Sequence, residues 1–155
     1  MVEEALPITI CLQEMMTNRT DHLLKNNYEW ITCSRPESLG NGIAGLGIRK
    51  DIQFHAIQHN SDLHACAARI GKPWNITVVS IYVPHNLNNQ ELIGKLKDLL
   101  DTLEPPYLLC GDFNASHEVW GSCQSNQRGR KLLEWAVENN LLVLNNGSPT
   151  HYHCT

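Results

Sequence analysis

The sequence contains no apolar run long enough to cross a membrane. Its longest stretches, such as Ile76 to Val83, are interrupted by Thr77 and Ser80, whereas a membrane helix needs roughly 20 apolar residues. The N-terminus, Met1-Val2-Glu3-Glu4, is acidic where a signal peptide would be basic, which argues against secretion. No two of the six cysteines, Cys11, Cys33, Cys66, Cys110, Cys123 and Cys154, form a C-x-x-C pair. Cys11, Cys66 and Cys110 sit in apolar, strand-like segments, so buried reduced thiols in a reducing compartment are expected. Without a secretory signal, the N-x-S/T sequons at Asn18, Asn75, Asn114 and Asn146 carry no weight. Positive charge is also scarce. Twelve Lys and Arg stand against 16 Asp and Glu, for a net charge of -4. That opposes tight nonspecific binding to nucleic acid, which is driven by counterion release from phosphates. It does not oppose capture of a phosphate through a metal ion. Repeats and low-complexity tracts are absent.

What is present suits one globular domain of 155 residues, 42% of them hydrophobic. Ile8 to Leu12 reads as a buried strand delivering Gln13 and Glu14 at its end. The polar segment from Asn18 to Tyr28 has room for a short helix. Glu37 to Gly47, with four glycines, reads as a loop entering a Gly-containing strand. Ile52 to Ile57 and His64 to Ile70 alternate loosely, as an antiparallel pair would. After the turn at Gly71-Lys72-Pro73, Trp74 to Val83 is β-branched and apolar on both faces, which predicts a central strand. Asn89 to Leu103 is the clearest helix, with Leu92, Ile93, Leu96, Leu99, Leu100 and Leu103 on one stripe; Pro105-Pro106 stops it. Tyr107 to Cys110 predicts a short buried strand broken by Gly111. Arg128 to Asn139 predicts a second helix with Leu132, Leu133, Ala136 and Val137 facing inward. Leu141 to Leu144 predicts a last strand. Strands interleaved with two helices imply a layered α/β sandwich, its sheet covered by the two helices.

Two of these strands deliver acids. Glu14 follows I-T-I-C-L and Asp112 follows Y-L-L-C-G. Carboxylates held at the rim of a sheet, where layered α/β folds bind ligands, repel one another unless a cation lies between them. Oxygen ligands suit magnesium, with manganese as a substitute. The bland alternative for either acid alone is a turn residue or a helix cap. In Gly111-Asp112-Phe113-Asn114, glycine permits a sharp bend. If the chain stays extended, Asp112 and Asn114 point the same way, one to orient water and the other to offer an amide to a developing oxyanion. An Asx-type turn is the alternative.

These segments resemble a known family. L-Q-E at 12–14, S-I-Y-V-P at 80–84 and L-L-C-G-D-F-N-A at 108–115 follow the order and rough spacing of the endonuclease/exonuclease/phosphatase superfamily. G-D-F-N-A-S-H-E-V-W-G-S, N-Q-R-G-R-K-L-L-E and L-L-V-L-N-N-G-S-P-T resemble more narrowly the endonuclease domains of jockey- and I-type non-LTR retrotransposons. The resemblance implies a DNase I-like fold. It also implies a magnesium-dependent DNA endonuclease that nicks target DNA to prime reverse transcription, carried with a reverse transcriptase domain on one intracellular, nuclear polypeptide. By the same resemblance, Glu14 is the metal-ligating glutamate and Asp112 the aspartate that orients or deprotonates the attacking water. Asn114 holds the scissile phosphate, and the hydroxyl of Tyr82 touches it. Two parts of the family pattern have no counterpart: an asparagine-bearing strand upstream of the Q-E motif and a closing S-D-H motif. The expectation is therefore an incomplete domain over residues 1–155 with crippled nicking.

Other residues have two readings each. His117, three residues past Asn114, reaches toward the site or is merely solvated. Trp120 stacks on DNA or packs beneath its loop. Asn126 and Arg128 contact phosphate or form a polar pair at a helix start. His151-x-His153 with Cys154 offers a weak zinc alternative. Two rival functions remain, a superfamily phosphatase and an inactive retroelement remnant. The loop A-S-H-E-V-W-G-S opposes the first, and the presence of Glu14, Asp112 and Asn114 opposes the second.

Overall fold

A computed structural model of the protein describes residues 6–15, 27–33, 43–59 and 61–148. The expected helix between Asn18 and Tyr28, most of the glycine-rich loop before Ile43, and the His151/His153/Cys154 group lie outside the described residues, except that Tyr28 starts a strand. The chain divides into two compact units. One comprises residues 1–84 and 95–113, the other residues 85–94 and 114–155.

The first unit is built on two sheets. β1 (Thr9–Met15), β2 (Tyr28–Thr32) and β3 (Ile43–Arg49) form an antiparallel sheet in the order β1-β3-β2. β4 (Phe54–Ile57), β5 (His64–Ile70), β6 (Ile76–Tyr82) and β7 (Tyr107–Asp112) form the second sheet, in that order. The expected antiparallel pair is the β4–β5 pair, with Phe54 opposite Ile70. β6 is interior, as its two-sided apolar run predicts, and β7 lies parallel to it. Parallel neighbours need a long crossover, which α1 (Asn89–Leu100) supplies.

The core forms where the sheets face each other. Ala44, Leu46 and Ile48 of β3 meet Cys66, Ala68 and Ile70 of β5 and Val78 and Tyr82 of β6. The period-2 alternation of a strand explains why these are every second residue. Their sequence neighbours Ala65, Ala67, Val79 and Ile81 are buried as well, so the second sheet is covered on both faces. Leu92, Leu96, Leu99 and Leu103 of the α1 stripe are buried, and the Ser61 hydroxyl donates to the Lys95 carbonyl at 3.0 Å, tying the helix to the start of β5. No helix among the described residues is long and apolar enough to cross a membrane.

Tyr28–Thr32 is a strand to which the sequence reading assigns no element, because its ladder partner β3 supplies the pairing that a local reading cannot see. Several expectations need correction. β1 runs on through Gln13 and Glu14 to Met15, so Glu14 lies within a bulged strand end, not beyond it. Gly111 does not break β7, which continues to Asp112. A Cβ at Gly111 would collide with the carbonyl of Ile81, its partner across the ladder. Glycine there permits close approach of two backbones, not a bend.

In the second unit, α2 (Gln127–Glu138) carries an Asn126 cap, whose side chain accepts from Gly129 N at 2.7 Å. Its inward residues include Trp135 and Ala136, whereas Val137 is 68% exposed. Leu141–Leu144 forms no strand, and Leu142 and Leu144 are exposed. The segment has the alternation of a strand, but no ladder pairs with it among the described residues.

Candidate active site

Three strand ends of the first unit carry the candidate residues. The pairing of β1 with β3 shifts register between Leu12 and Met15, and Glu14 takes a left-handed backbone with φ of 54°. Such a conformation is costly for a residue with a Cβ, by about 1–3 kcal/mol, and tends to persist where it re-aims a side chain. Here it leaves Glu14 exposed. The hydroxyl of Tyr82, at the end of β6, donates to Glu14 Oε1 at 2.9 Å. Tyr82 is directly opposite Asp112 in the parallel ladder, and Val83 N donates to the Asp112 carbonyl at 2.8 Å. The sequence thus reaches one rim by three routes: a bulge, a strand end and a ladder partner.

The electrostatics agree with the geometry. Burial pushes the Tyr82 hydroxyl above its ordinary pKa, and the carboxylates of Glu14 and Asp112 push it further. It therefore stays protonated and available as a donor across the neutral range. The ring of His64 lies edge-on to that of Tyr82, with centroids 6.1 Å apart.

Beneath the rim, Gln13 Nε2 donates to Ser80 Oγ at 3.1 Å, and Ser80 Oγ donates to the Leu12 carbonyl at 3.2 Å. Ser80 is fully buried. This pair fastens the β1 bulge to β6 and so sets where Glu14 stands. Both residues lie inside the motifs L-Q-E and S-I-Y-V-P, yet a sequence reading gives them no role, because their partnership spans 67 positions.

The donor set limits what cation the rim can hold. Among the described residues, no group of three or more His, Cys, Asp or Glu is placed to hold a metal ion. Two carboxylates fit magnesium, which usually keeps several waters and takes one or two protein carboxylates together with substrate phosphate. They do not fit a dedicated all-protein cage.

The remaining candidates belong to the second unit. Asn114 stands two residues past Asp112 with φ of 48°, so the extended geometry that would align its side chain with that of Asp112 does not hold. The ring nitrogen Nδ1 of His117 accepts from Val119 N at 3.1 Å, capping a short 3-10 turn over Glu118–Trp120. Trp120 is half-buried and donates from Nε1 to the Ala115 carbonyl at 2.9 Å, the packing its loop position suggests. Asn126 caps α2. Arg128 is buried and donates to Asn89 Oδ1 at 3.0 Å and to the carbonyls of His85 and Leu87 at 3.0 and 2.6 Å. These bonds make it the clasp of the 85–89 segment, which follows the Y-x-P motif.

Comparison with known proteins places the chain in context. Residues 76–155 match the family described as endonuclease-reverse transcriptase. The chain is 38% identical over 153 residues to a probable RNA-directed DNA polymerase from transposon BS of Drosophila melanogaster, covering 92% of this chain and 16% of that protein. To the RNA-directed DNA polymerase from mobile element jockey of the same organism it is 31% identical over 77 residues, 50% of this chain and 8% of that one. It therefore spans a small part of the curated relatives it matches. In fold it is similar to the endonuclease domain of TRAS1, a telomere-specific non-LTR retrotransposon. The TM-score is 0.67 at 22% identity, covering 79% of this chain and 57% of that one. With a family match over residues 76–155, the chain belongs to the endonuclease-reverse transcriptase family, and its α/β fold is DNase I-like, similar to that of the TRAS1 endonuclease domain.

Proposed function

We propose that this chain carries the catalytic rim of a metal-dependent DNA endonuclease, which nicks target DNA so that a reverse transcriptase on the same parent polypeptide can prime from the nick. The observation that carries this reading is the Tyr82 hydroxyl. It donates to Glu14 of the first sheet, and Tyr82 is the ladder neighbour of Asp112 in the second, which supports a site shared by the two acids.

Phosphodiester hydrolysis needs a positioned water, neutralisation of the nonbridging oxygens and help for the leaving 3′ oxygen. Glu14, with Asp112, is the ligand set for magnesium or manganese, which when bound would supply charge neutralisation at the phosphate. Asp112 is exposed at the end of β7 and is suited to orient or deprotonate the attacking water. Tyr82 holds the Glu14 carboxylate in one orientation, as outer partners of metal ligands do.

The experiment is nicking of supercoiled plasmid DNA with magnesium, run on this chain and on a longer parent polypeptide spanning the relatives' endonuclease length. Nicking that requires magnesium, stops with a chelator and falls by about 10²-fold or more in Asp112→Ala and Glu14→Gln supports the reading. Nicking by the parent that survives both substitutions would overturn it.

A further inference from the structure

The catalytic reading leaves Cys33 and Cys66 without a task, and they meet across the gap between the sheets. Cys33 follows β2 and pairs with Ala44, donating from its N to the Ala44 carbonyl at 3.2 Å. Its Sγ accepts from Ala44 N at 3.3 Å. From the other sheet, the Cys66 thiol of β5 donates to the Ala44 carbonyl at 3.2 Å. The two sulfurs therefore converge on the backbone of one residue of β3, Ala44. They are also in hydrogen-bonding contact with each other, and that contact, with burial, holds the Cys66 thiol well above the ordinary thiol range. The two differ in access. Cys66 is 3% exposed in the core, whereas Cys33 is half-buried at its margin. Neither residue is adjacent to Glu14, Tyr82 or Asp112 in the chain.

We propose that Cys33 and Cys66 form a reversible, peroxide-driven disulfide that cross-links the two sheets. Cys33, the accessible member, receives an N–H hydrogen bond that favours its thiolate, the reactive form. The thiolate attacks a peroxide oxygen. The S–O bond forms, the O–O bond breaks, and the leaving hydroxide takes a proton to become water. Cys33 is then a sulfenic acid, the first rung of thiol oxidation. The Cys66 sulfur attacks the Cys33 sulfur. The S–S bond forms, the S–O bond breaks, and the hydroxyl leaves as water with the proton of Cys66. In sum, two thiols and one peroxide give a disulfide and two waters. The bond joins β5 to the end of β2 and closes a long stretch of chain, so it restricts the unfolded state. Both thiols are already held at Ala44, and a disulfide requires that their sulfurs close to about 2.05 Å. The inference stands on the core alone and does not depend on whether the chain cleaves DNA.

The test treats the folded full chain with hydrogen peroxide and isolates the monomer. Remaining thiols are alkylated under denaturing conditions, and peptides are mapped by mass with and without reductant. The expected product has lost the mass of two hydrogens, links the Cys33 peptide to the Cys66 peptide and melts several degrees higher. Dithiothreitol reverses both changes. In Cys66→Ser the bond is lost and Cys33 proceeds to sulfinic acid, whereas in Cys33→Ser Cys66 stays a thiol. The wild-type map needs no variant to fold. Recovery of Cys33 and Cys66 as alkylated thiols after Cys123 has been fully oxidised would overturn the proposal. So would a disulfide that joins other cysteines and spares this pair.

Discussion

At Glu14 the backbone gives up a favourable conformation so that the side chain can leave the strand at the rim. The Tyr82 hydroxyl meets it there. Removing that hydroxyl in Tyr82→Phe deletes a single hydrogen bond whose acceptor is exposed and can return to water. The expected loss of stability is therefore only about 1 kcal/mol, read by urea unfolding. If Tyr82 positions Glu14, nicking by the parent polypeptide falls more than this stability change explains, and the magnesium concentration for half-maximal rate rises. Gly111 behaves differently. Its missing Cβ leaves room for the Ile81 carbonyl, so Gly111→Ala forces β7 away from β6. We expect a loss of about 3 kcal/mol or outright failure to fold, checked by thermal melting followed by circular dichroism.

Among the elements, α2 and the 85–89 segment depend on one guanidinium. Arg128 satisfies two carbonyls and an amide oxygen from a buried position. Arg128→Met would keep most of the volume and leave those acceptors short of donors. The expected cost is about 3 kcal/mol in urea unfolding, with new proteolytic cleavage between His85 and Asn89. Arg128→Lys should rescue little, since a point-like ammonium cannot span three acceptors as a planar fork does. Measured stability equal to wild type in both variants would show that the clasp contributes nothing.

For the molecule as a whole, the surface near α2 is the weak point. Leu142, Leu144 and Val137 expose most of their apolar side chains. Exposed apolar groups in a segment with strand alternation invite association with other chains. Leu142→Ser together with Leu144→Ser is expected to raise the concentration at which light scattering appears. The melting temperature should hardly move, since exposed positions typically contribute within about 0.5 kcal/mol. The same double substitution lowering the melting temperature strongly would show that these leucines are packed in solution.

Much of this protein can be read from one dimension. The α1 stripe, the central β6 and the antiparallel β4–β5 pair follow from periodicity, because helix and strand repeats are local properties of the chain. The motifs around Glu14, Tyr82, Asp112 and Asn114 were legible as motifs because their spacing survives without coordinates. What the fold alone decided is everything that depends on pairing at long range. Tyr28–Thr32 is a strand because β3 lies beside it, Gly111 is required because Ile81 comes close, and Leu141–Leu144 has a strand's pattern without its ladder. Arg128 reads equally as a phosphate contact or as part of a polar pair at a helix start, and only the fold puts three acceptors, some 40 positions earlier in the chain, around it. A polar side chain's role is set by what tertiary contact places within about 3 Å of it, and a sequence does not encode that distance at any single position.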